Sequence, residues 1–168
     1  MLQRTVPVCN LSSGGGGATR PRHNSAMGNG IFMIADLAAL EFANDAFYQA
    51  FAAASLEAME AVWAEQPNVF CVHPGWPPIT SRAEVMASWQ EILNNAGPIP
   101  VSAVAPKATI FGDIGLVCCY ERFGKEHLVA SNLFIRAEGG WRMIHHQAGP
   151  LARVPDEAKV ANEPQPRH

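Results

Sequence analysis

The stretch Ser81–Phe111, SRAEVMASWQEILNNAGPIPVSAVAPKATIF, contains the change of pattern that decides the fold. Ser81 and Glu84 have the spacing of a capping box, in which both side chains satisfy backbone N–H groups at a helix start. The apolar residues that follow recur at helical spacing until Gly97 and the proline after it end the helix. From Val101 onward apolar and polar residues alternate, which predicts a strand. The chain therefore passes here from helices to a sheet.

Two further helices are predicted before this stretch. Asp36 is the predicted N-cap of the first helix, and Ser55 is the predicted N-cap of a second helix over residues 56–66. Pro67 ends the second helix. The apolar positions that recur on the buried faces of the two helices are Leu40, Phe47, Phe51, Leu56, Met59, Val62 and Trp63. Both helices are therefore predicted to pack one apolar face against a core.

A short strand and four longer ones complete the predicted fold. The run VFCVH predicts a short strand, and the PGWPP after it predicts a rigid loop. Segments of alternating pattern, separated by turn residues, are 101–111, 114–123, 126–137 and 141–148. We expect an α+β domain in which three N-terminal helices pack on one face of a strongly curved, mostly antiparallel sheet.

The same pattern predicts one domain at residues 36–154, with a tail on each side. Residues 1–35 contain no acidic residue and are rich in Gly, Ser and Asn. Such a stretch buries too little apolar surface to offset its chain entropy, so we expect a disordered segment, or translation that starts at Met27 or Met33. Residues 155–168 are predicted to be a loose C-terminal tail.

The composition narrows the functional classes. The formal net charge of −3 argues against nucleic acid or an anionic membrane surface as a partner. No apolar run approaches the roughly 20 residues of a membrane span. The four cysteines form no C-x-x-C pair, which favours reduced thiols in a cytoplasmic protein.

The stretches VFCVHPGWPPITSRAEVMASWQEIL, residues 69–93, and GGWRMIHHQAG, residues 139–149, resemble the SnoaL-like branch of the nuclear-transport-factor-2-like superfamily. This superfamily includes ketosteroid isomerase. The closing strand is also similar to that of the association (hub) domain of calcium/calmodulin-dependent kinase. The resemblance implies a cone-shaped barrel with a pocket at its wide end, usually in a homodimer. Because isomerases, lyases and assembly modules share this fold, the resemblance implies a pocket and leaves the reaction open.

The neighbouring residues His145 and His146 raise the question of a metal site. Regular alternation along the last strand would put His146 on one face with Arg142, Ile144 and Ala148, and His145 on the other. The two imidazoles could not then bind the same ion, and no other spacing typical of metal ligands accompanies them. We therefore predict no metal site and no cofactor.

The resemblance to the hub domain indicates which strand face lines the pocket, because arginines from three strands line the pocket of that domain. The corresponding positions here are Arg122, Asn132 and Ala148, of which only the first keeps the cation. This correspondence implies that Glu121 faces outward. The inward residues that it implies are Tyr120, Arg122, Asn132, Phe134, His146 and Ala148.

Further pocket residues are predicted from the helices and the Pro-Gly loop. His73 lies at the predicted pocket mouth, with Trp76 as a wall and Tyr48, Trp63 and Trp89 filling the cone. A mostly apolar cavity with a few converging polar groups is the usual form of a small-molecule site. The same residues also fit structural roles. A loop histidine often bonds to backbone, and tryptophans at helical spacing are common in cores.

The sequence leaves three functions open. The leading hypothesis is a protein that binds a small apolar or aromatic molecule, without a predicted reaction. The alternative is a cofactor-free isomerase, lyase or cyclase in which His73 or His146 acts as the general base. The third is a dimerisation or assembly module that uses the outward faces of the strands.

Overall fold

The computed structural model describes residues 26–156, with side chains from Phe32 onward. Residues 1–25 and 157–168, which make up most of the two predicted tails, lie outside this range. The elements are α1 (Ala26–Ala52), α2 (Leu56–Val62), β1 (Phe70–Val72), α3 (Arg82–Ala96), β2 (Val101–Phe111), β3 (Ile114–Phe123), β4 (Glu126–Ala137) and β5 (Gly140–Pro150). No helix between residues 26 and 156 has the length and apolar character needed to cross a membrane.

The five strands form one sheet in the order β1-β5-β4-β3-β2. Strand β1 runs parallel to β5, and the three remaining pairs are antiparallel. Helix α1 packs against β2, β3 and β5, and the curved sheet holds the helices on its concave side. The predicted α+β class with a mostly antiparallel sheet is confirmed, and the sheet is open, with β1 and β2 at its edges.

Two predicted helix starts are confirmed by their caps. The Ser55 hydroxyl accepts a hydrogen bond from the Ala58 N–H at 3.2 Å. The Ser81 hydroxyl accepts from the Glu84 N–H at 3.4 Å and donates to the Glu84 carboxylate at 2.6 Å. These bonds satisfy backbone donors that have no partner within the first turn of a helix.

Two predicted helix ends are wrong. Helix α1 begins at Ala26, so Asp36 is not its N-cap; its carboxylate instead accepts two hydrogen bonds from Arg136, each 2.7 Å long. Helix α2 ends at Val62 and not at residue 66. Trp63 forms a bridge with Met143, and the following N–H donates to the Met143 carbonyl at 2.9 Å. Backbone groups that the local pattern assigns to the helix are therefore hydrogen-bonded to the sheet.

Strand β5 contains a β-bulge that changes which side chains share a face. Leu133 pairs with His145, and Phe134 pairs with Met143, so Ile144 is the extra residue. As a result Met143 and His146 both face the concave side and are both buried. The predicted strict alternation, which grouped Ile144 with His146, is wrong at this point.

Strand β3 faces the opposite way to the prediction. The two-residue turn between β3 and β4 pairs Phe123 with Glu126, and the same register pairs Val117 with Asn132. Directly paired residues in an antiparallel sheet share a face. The concave face of β3 therefore carries Val117, Cys119 and Glu121, all buried. The prediction that Tyr120 and Arg122 point inward and Glu121 outward is wrong, since Tyr120 and Arg122 lie half-buried on the other face.

Candidate functional site

The concave side of the sheet holds five buried polar side chains in mutual contact. We call them the polar cluster: Asn44 and Tyr48 from α1, Glu121 from β3, Asn132 from β4 and His146 from β5. All five are at most 3% exposed. The rings of Phe47 and Trp89 pack beside His146, with centroids 4.8 and 5.9 Å from its own. A polar group in such surroundings is costly unless it is hydrogen-bonded.

Asn132 connects the members of the polar cluster. Its side-chain N–H₂ donates to the Asn44 carbonyl oxygen at 2.8 Å and contacts the Tyr48 hydroxyl at 3.3 Å. Its carbonyl oxygen lies 2.7 Å from Nδ1 of His146. Because that oxygen can only accept, Nδ1 of His146 carries the hydrogen. Asn132 therefore determines the tautomer of the histidine.

The remaining nitrogen of His146 faces a carboxyl group. With the hydrogen on Nδ1, a neutral imidazole has a lone pair on Nε2. This Nε2 lies 3.7 Å from Oε1 of Glu121. The Tyr48 hydroxyl donates to the same carboxylate oxygen at 3.0 Å. The cluster thus brings together a base, an acid and a phenol in one apolar enclosure.

Burial moves both members of the Glu121–His146 pair toward their neutral forms. Desolvation raises the pKa of Glu121 to about 7, although the hydrogen bond from Tyr48 opposes this change. Desolvation, followed by the nearby His73 and His145, lowers the pKa of His146 to about 3. The contact distance alone would permit an ion pair, but the cost of burying two charges disfavours it, so His146 stays neutral and Glu121 is protonated below about pH 7. Glu121 then exchanges its proton close to neutral pH.

His73 lies outside the polar cluster and is hydrogen-bonded to Ser88. Its Nε2 lies 2.9 Å from the Ser88 hydroxyl, and that hydroxyl donates its own hydrogen to the Val85 carbonyl at 2.8 Å. Nε2 of His73 must therefore be the donor. Desolvation lowers the pKa of His73 to about 4, so the ring is neutral at pH 7. Its centroid lies 6.4 Å from that of His146.

Two donors on the concave side have no oxygen or nitrogen partner among the described residues. They are the indole Nε1 of Trp89 and the side-chain nitrogen of Asn44, a member of the polar cluster whose side chain interacts with the Cys119 thiol. A buried donor without a partner is costly, and such atoms in native proteins often bond to water or a ligand. The apolar enclosure therefore contains donor groups that an oxygen-bearing molecule would satisfy.

The polar cluster is closed to solvent in this conformation. Of five surface depressions with volumes from about 80 to 600 Å³, none is lined by His73, Glu121 or His146. One of them, about 490 Å³ in volume, is lined by Trp76 and Ser88. The centroid of the Trp76 ring is 5.2 Å from that of His73, so this surface loop contacts one of the buried histidines.

The structure brings together part of the predicted site. Tyr48, Asn132 and His146 are hydrogen-bonded in the polar cluster, and Trp89 contacts both His146 and His73. Their predicted role in ligand binding stays a prediction. In the part of the chain that the structure describes, no three side chains of metal-binding type lie close enough to hold an ion.

The other predicted site residues lie elsewhere. Trp63 and Phe134 are fully buried but have no ring contact with either histidine in the described chain. Trp76 is 39% exposed at the surface loop. Tyr120 and Arg122 lie on the opposite face of the sheet, where Arg122 donates to Ser102 at 3.2 Å. Of these five residues, two are thus in the core, one is at the surface and two are on the outer face of the sheet.

Sequence reasoning missed three residues near the histidines. Glu121 was assigned to the wrong face, although a two-residue turn pairs even-numbered residues of β4 with odd-numbered residues of β3. Asn44 follows Leu40 by four residues, the spacing of one helix face, so it could have been placed inward. Ser88 precedes Trp89 on α3, and nothing in the helical pattern separates it from other small residues.

Comparison with known proteins places this geometry in context. The model of the SnoaL-like domain family matches residues 40–152. A solved structure from Streptomyces avermitilis, named as a candidate dehydratase of the NTF2-like family, is 29% identical, with a TM-score of 0.65, and the match covers 71% of this chain and 99% of that one. None of the curated protein sequences matches the chain at a significant level.

Two further solved structures are named as an association domain and as an isomerase. A candidate association domain of calcium/calmodulin-dependent protein kinase type II from Thiobacillus denitrificans is 37% identical, covers 66% of this chain and 94% of its own, and has a TM-score of 0.58. A candidate ketosteroid isomerase from Parabacteroides distasonis is 11% identical over 70% of this chain and 87% of its own, with a TM-score of 0.53. The second similarity shows the fold alone.

Proposed function

The chain belongs to the SnoaL-like domain family, and from this premise we propose that it binds a small, partly apolar molecule beside the polar cluster and moves a proton on it. The observation that carries the proposal is the buried carboxyl of Glu121, 3.7 Å from the free nitrogen of a neutral His146. A carboxyl with a pKa of about 7 is populated in both protonation states at neutral pH. One group can then act as base and afterwards as acid.

The enclosure suits a molecule with a carbonyl or hydroxyl oxygen. The indole N–H of Trp89, which has no hydrogen-bond partner among the described residues, would bond to such an oxygen and stabilise negative charge that develops on it. Glu121 would take a proton from the neighbouring carbon and return it to another atom of the same molecule. An isomerisation returns the proton to another carbon, and a dehydration returns it to the hydroxyl group that leaves as water. The 29% identical relative is named as a candidate dehydratase.

Entry would occur at the Trp76 loop. Ser88 lines the surface depression there and is bonded to His73, whose ring lies 6.4 Å from that of His146. Movement of the loop is required, because the cluster is closed in this conformation. In this proposal His73 lies next to the loop that must move. Glu121, and not His73 or His146, is the proposed general base.

A ligand screen tests the proposal. The compounds are neutral ketones and β-hydroxy ketones, each with a matched carboxylate. The melting temperature is measured with each compound for the parent protein, Glu121→Gln and Arg122→Gln. A ligand at about 100 times its dissociation constant stabilises the folded state by about 2.7 kcal/mol. We expect a neutral carbonyl compound to stabilise the parent and Arg122→Gln. For a compound that is turned over, kcat/KM of the parent and of Arg122→Gln should depend on a group with a pKa near 7, and Glu121→Gln, which lacks the proposed general base, should lose turnover.

The adjacent substitutions separate this proposal from the sequence-based one. If Arg122→Gln abolishes the stabilisation and Glu121→Gln retains both binding and turnover, the site lies on the outer face and the proposal is wrong. If no compound stabilises the parent although Glu121→Gln changes the pH dependence of its melting, the polar cluster has only a structural role.

Self-assembly is a second candidate function, favoured by the 37% identical relative that is named as an association domain. The homodimer that the sequence predicts belongs to this proposal. Sedimentation of the full chain over a dilution series measures it directly, and a monomer at every concentration would eliminate it.

A further inference from the structure

Helix α1 has two apolar faces, and only one of them is used in the fold. Leu40, Phe47 and Phe51 face the core and are at most 8% exposed. The second face lies on the far side of the helix. We call it the outer seam, and it consists of Phe32, Ala35, Ala39, Phe42, Ala46, Gln49 and Ala53. Most of these residues are exposed, including both phenylalanines, at 77% and 73%.

The spacing of the outer seam is that of a helix that packs on another helix. Its residues follow one another at intervals of three and four without interruption. This seven-residue repeat keeps one seam in register along a partner helix over three heptads. Ordinary surface helices place charged residues on the solvent side, whereas the outer seam contains none.

The outer seam also forms one wall of an apolar groove. The groove has a volume of about 510 Å³, and its other wall comes from α2 and from the start of β5. Ala58, Ala61 and Val62 line it on the α2 side, and Trp141 lines it on the β5 side. The small side chains along both walls leave room for a helix to approach closely.

The exposed phenylalanine at the start of the seam cannot fill the groove of its own chain. Phe32 and Ala46 lie on one continuous helix, where fourteen residues correspond to about 21 Å. Because the helix is continuous, Phe32 stays at this distance from Ala46, which lines the groove. A second copy, placed antiparallel, brings Phe42 over Ala39 of the first copy and Phe32 over Gln49. Each large side chain then lies against a smaller one in a self-complementary contact.

The area is sufficient for a stable dimer. An exposed phenylalanine at these fractions presents about 150 Å² each, so the four in a symmetric pair present about 600 Å². The phenylalanines would also cover apolar surface of the opposite seam and groove, so the total area is on the order of the roughly 1,000 Å² that a biological interface buries. We propose that two copies of this chain associate through the outer seams of α1, packed antiparallel with each seam in the groove of the other copy.

This interface is independent of the ligand site and gives self-assembly, the second candidate function, a specific surface. The test is sedimentation velocity and light scattering of the full chain, of Phe42→Asp and of Phe111→Asp over a dilution series. Phe111 is 62% exposed at the end of β2 and outside the seam, so it is a matched control. Neither side chain is needed for the core, so both variants should fold, which circular dichroism checks. We expect a dimeric parent, a dimeric Phe111→Asp, and a dissociation constant raised at least about 30-fold in Phe42→Asp.

Cross-linking tests the antiparallel register. In a chain with Cys9 and Cys118 changed to Ser, Ala39→Cys lies near the two-fold axis and should form an intermolecular disulfide under mild oxidation, whereas Gln49→Cys alone should not. A dimeric parent whose Phe42→Asp variant stays dimeric would overturn the proposed surface while leaving self-assembly intact. A monomeric parent would overturn both, and equal dissociation of both phenylalanine variants would show that the seam is not the contact.

Discussion

The two faces of β3 differ in the environments that they give to adjacent residues. Glu121, on the concave face, is 2% exposed, has a pKa raised to about 7 and bonds to Tyr48. Arg122, the next residue, is half-buried on the outer face and bonds to Ser102. The family resemblance implied that Arg122 faces the pocket, but the buried charged residue is its neighbour Glu121. The two side chains point to opposite faces of β3.

This difference shows that the face of a strand determines the chemistry of an ionisable side chain more than its type does. A carboxyl on the outer face would keep an ordinary pKa and remain a solvated charge. On the concave face the same group loses its hydration and holds its proton to near-neutral pH. The interpretation of this protein as a binder or a catalyst depends on which of these two neighbours faces inward.

The largest expected effect comes from deleting one residue from a regularly paired strand. Deletion of Cys118 should destabilise the protein by at least about 4 kcal/mol or prevent folding, because Val117 and Cys119 both face the concave side and one end of β3 must then turn its buried side chains outward. Chemical denaturation and expression yield measure this effect. Deletion of Ile144 is the control, because it removes only the extra residue of the bulge, leaves Met143 and His146 on the same face and should cost much less. Similar stability of the two deletion variants would mean that β3 shifts its register at little cost.

The second effect is the pH dependence that Glu121 contributes. The folded state holds the Glu121 proton up to about pH 7, whereas the unfolded chain releases it near pH 4.5. The parent should therefore lose about 3 kcal/mol of stability relative to Glu121→Gln as pH rises between these values. His73 and His146, whose pKa values are lowered, act in the opposite direction, and their contribution is lost as pH falls below about 6.5. That contribution is common to both proteins and cancels in the difference.

Denaturation of the parent, Glu121→Gln and Arg122→Gln at several pH values measures this difference. Arg122→Gln should differ from the parent by the same amount at every pH. A constant difference for Glu121→Gln as well would show that this carboxyl titrates normally and is not enclosed.

The smallest effect concerns Asn132 and its neighbour on the outer face. Asn132→Ala should cost about 2 kcal/mol, because it leaves Nδ1–H of His146 and the Asn44 carbonyl oxygen without partners. Nitrogen NMR of the histidine ring should show the Nδ1–H tautomer in the parent and a mixture in the variant. Ser131→Ala should stay within about 0.5 kcal/mol of the parent. An unchanged tautomer in Asn132→Ala would show that another group orients His146.

Much of the fold was predictable because its signals are local. The capping box at Ser81, the cap at Ser55 and the change from helical to alternating pattern at Val101 each depend on a few adjacent residues. The face of Glu121 was also within reach, since the two-residue turn after Phe123 determines the register of β3 against β4. The error came from using a distant arginine pattern where the turn length already determined the orientation.

The remaining features depend on contacts between distant parts of the chain. No local signal marks Ile144 as a bulge, because its side chain fits an alternating strand equally well. The early end of α2 at Val62 is accompanied by a backbone bond from Ala64 to Met143, which lies on a strand far along the chain. The hydrogen bonds around Asn132 join one helix and two strands, so they exist only after these elements have packed.

The sequence by itself determined the order of helices and strands, the helix caps and, through its turns, the pairing of β3 with β4. These are consequences of short-range hydrogen bonding and of the two periods of apolar residues. Only the tertiary structure decided that β1 joins β5, that β5 carries a bulge and that Glu121 meets His146. Those outcomes depend on the burial of whole faces, and burial is what converts an ordinary carboxyl into one that holds its proton near neutral pH.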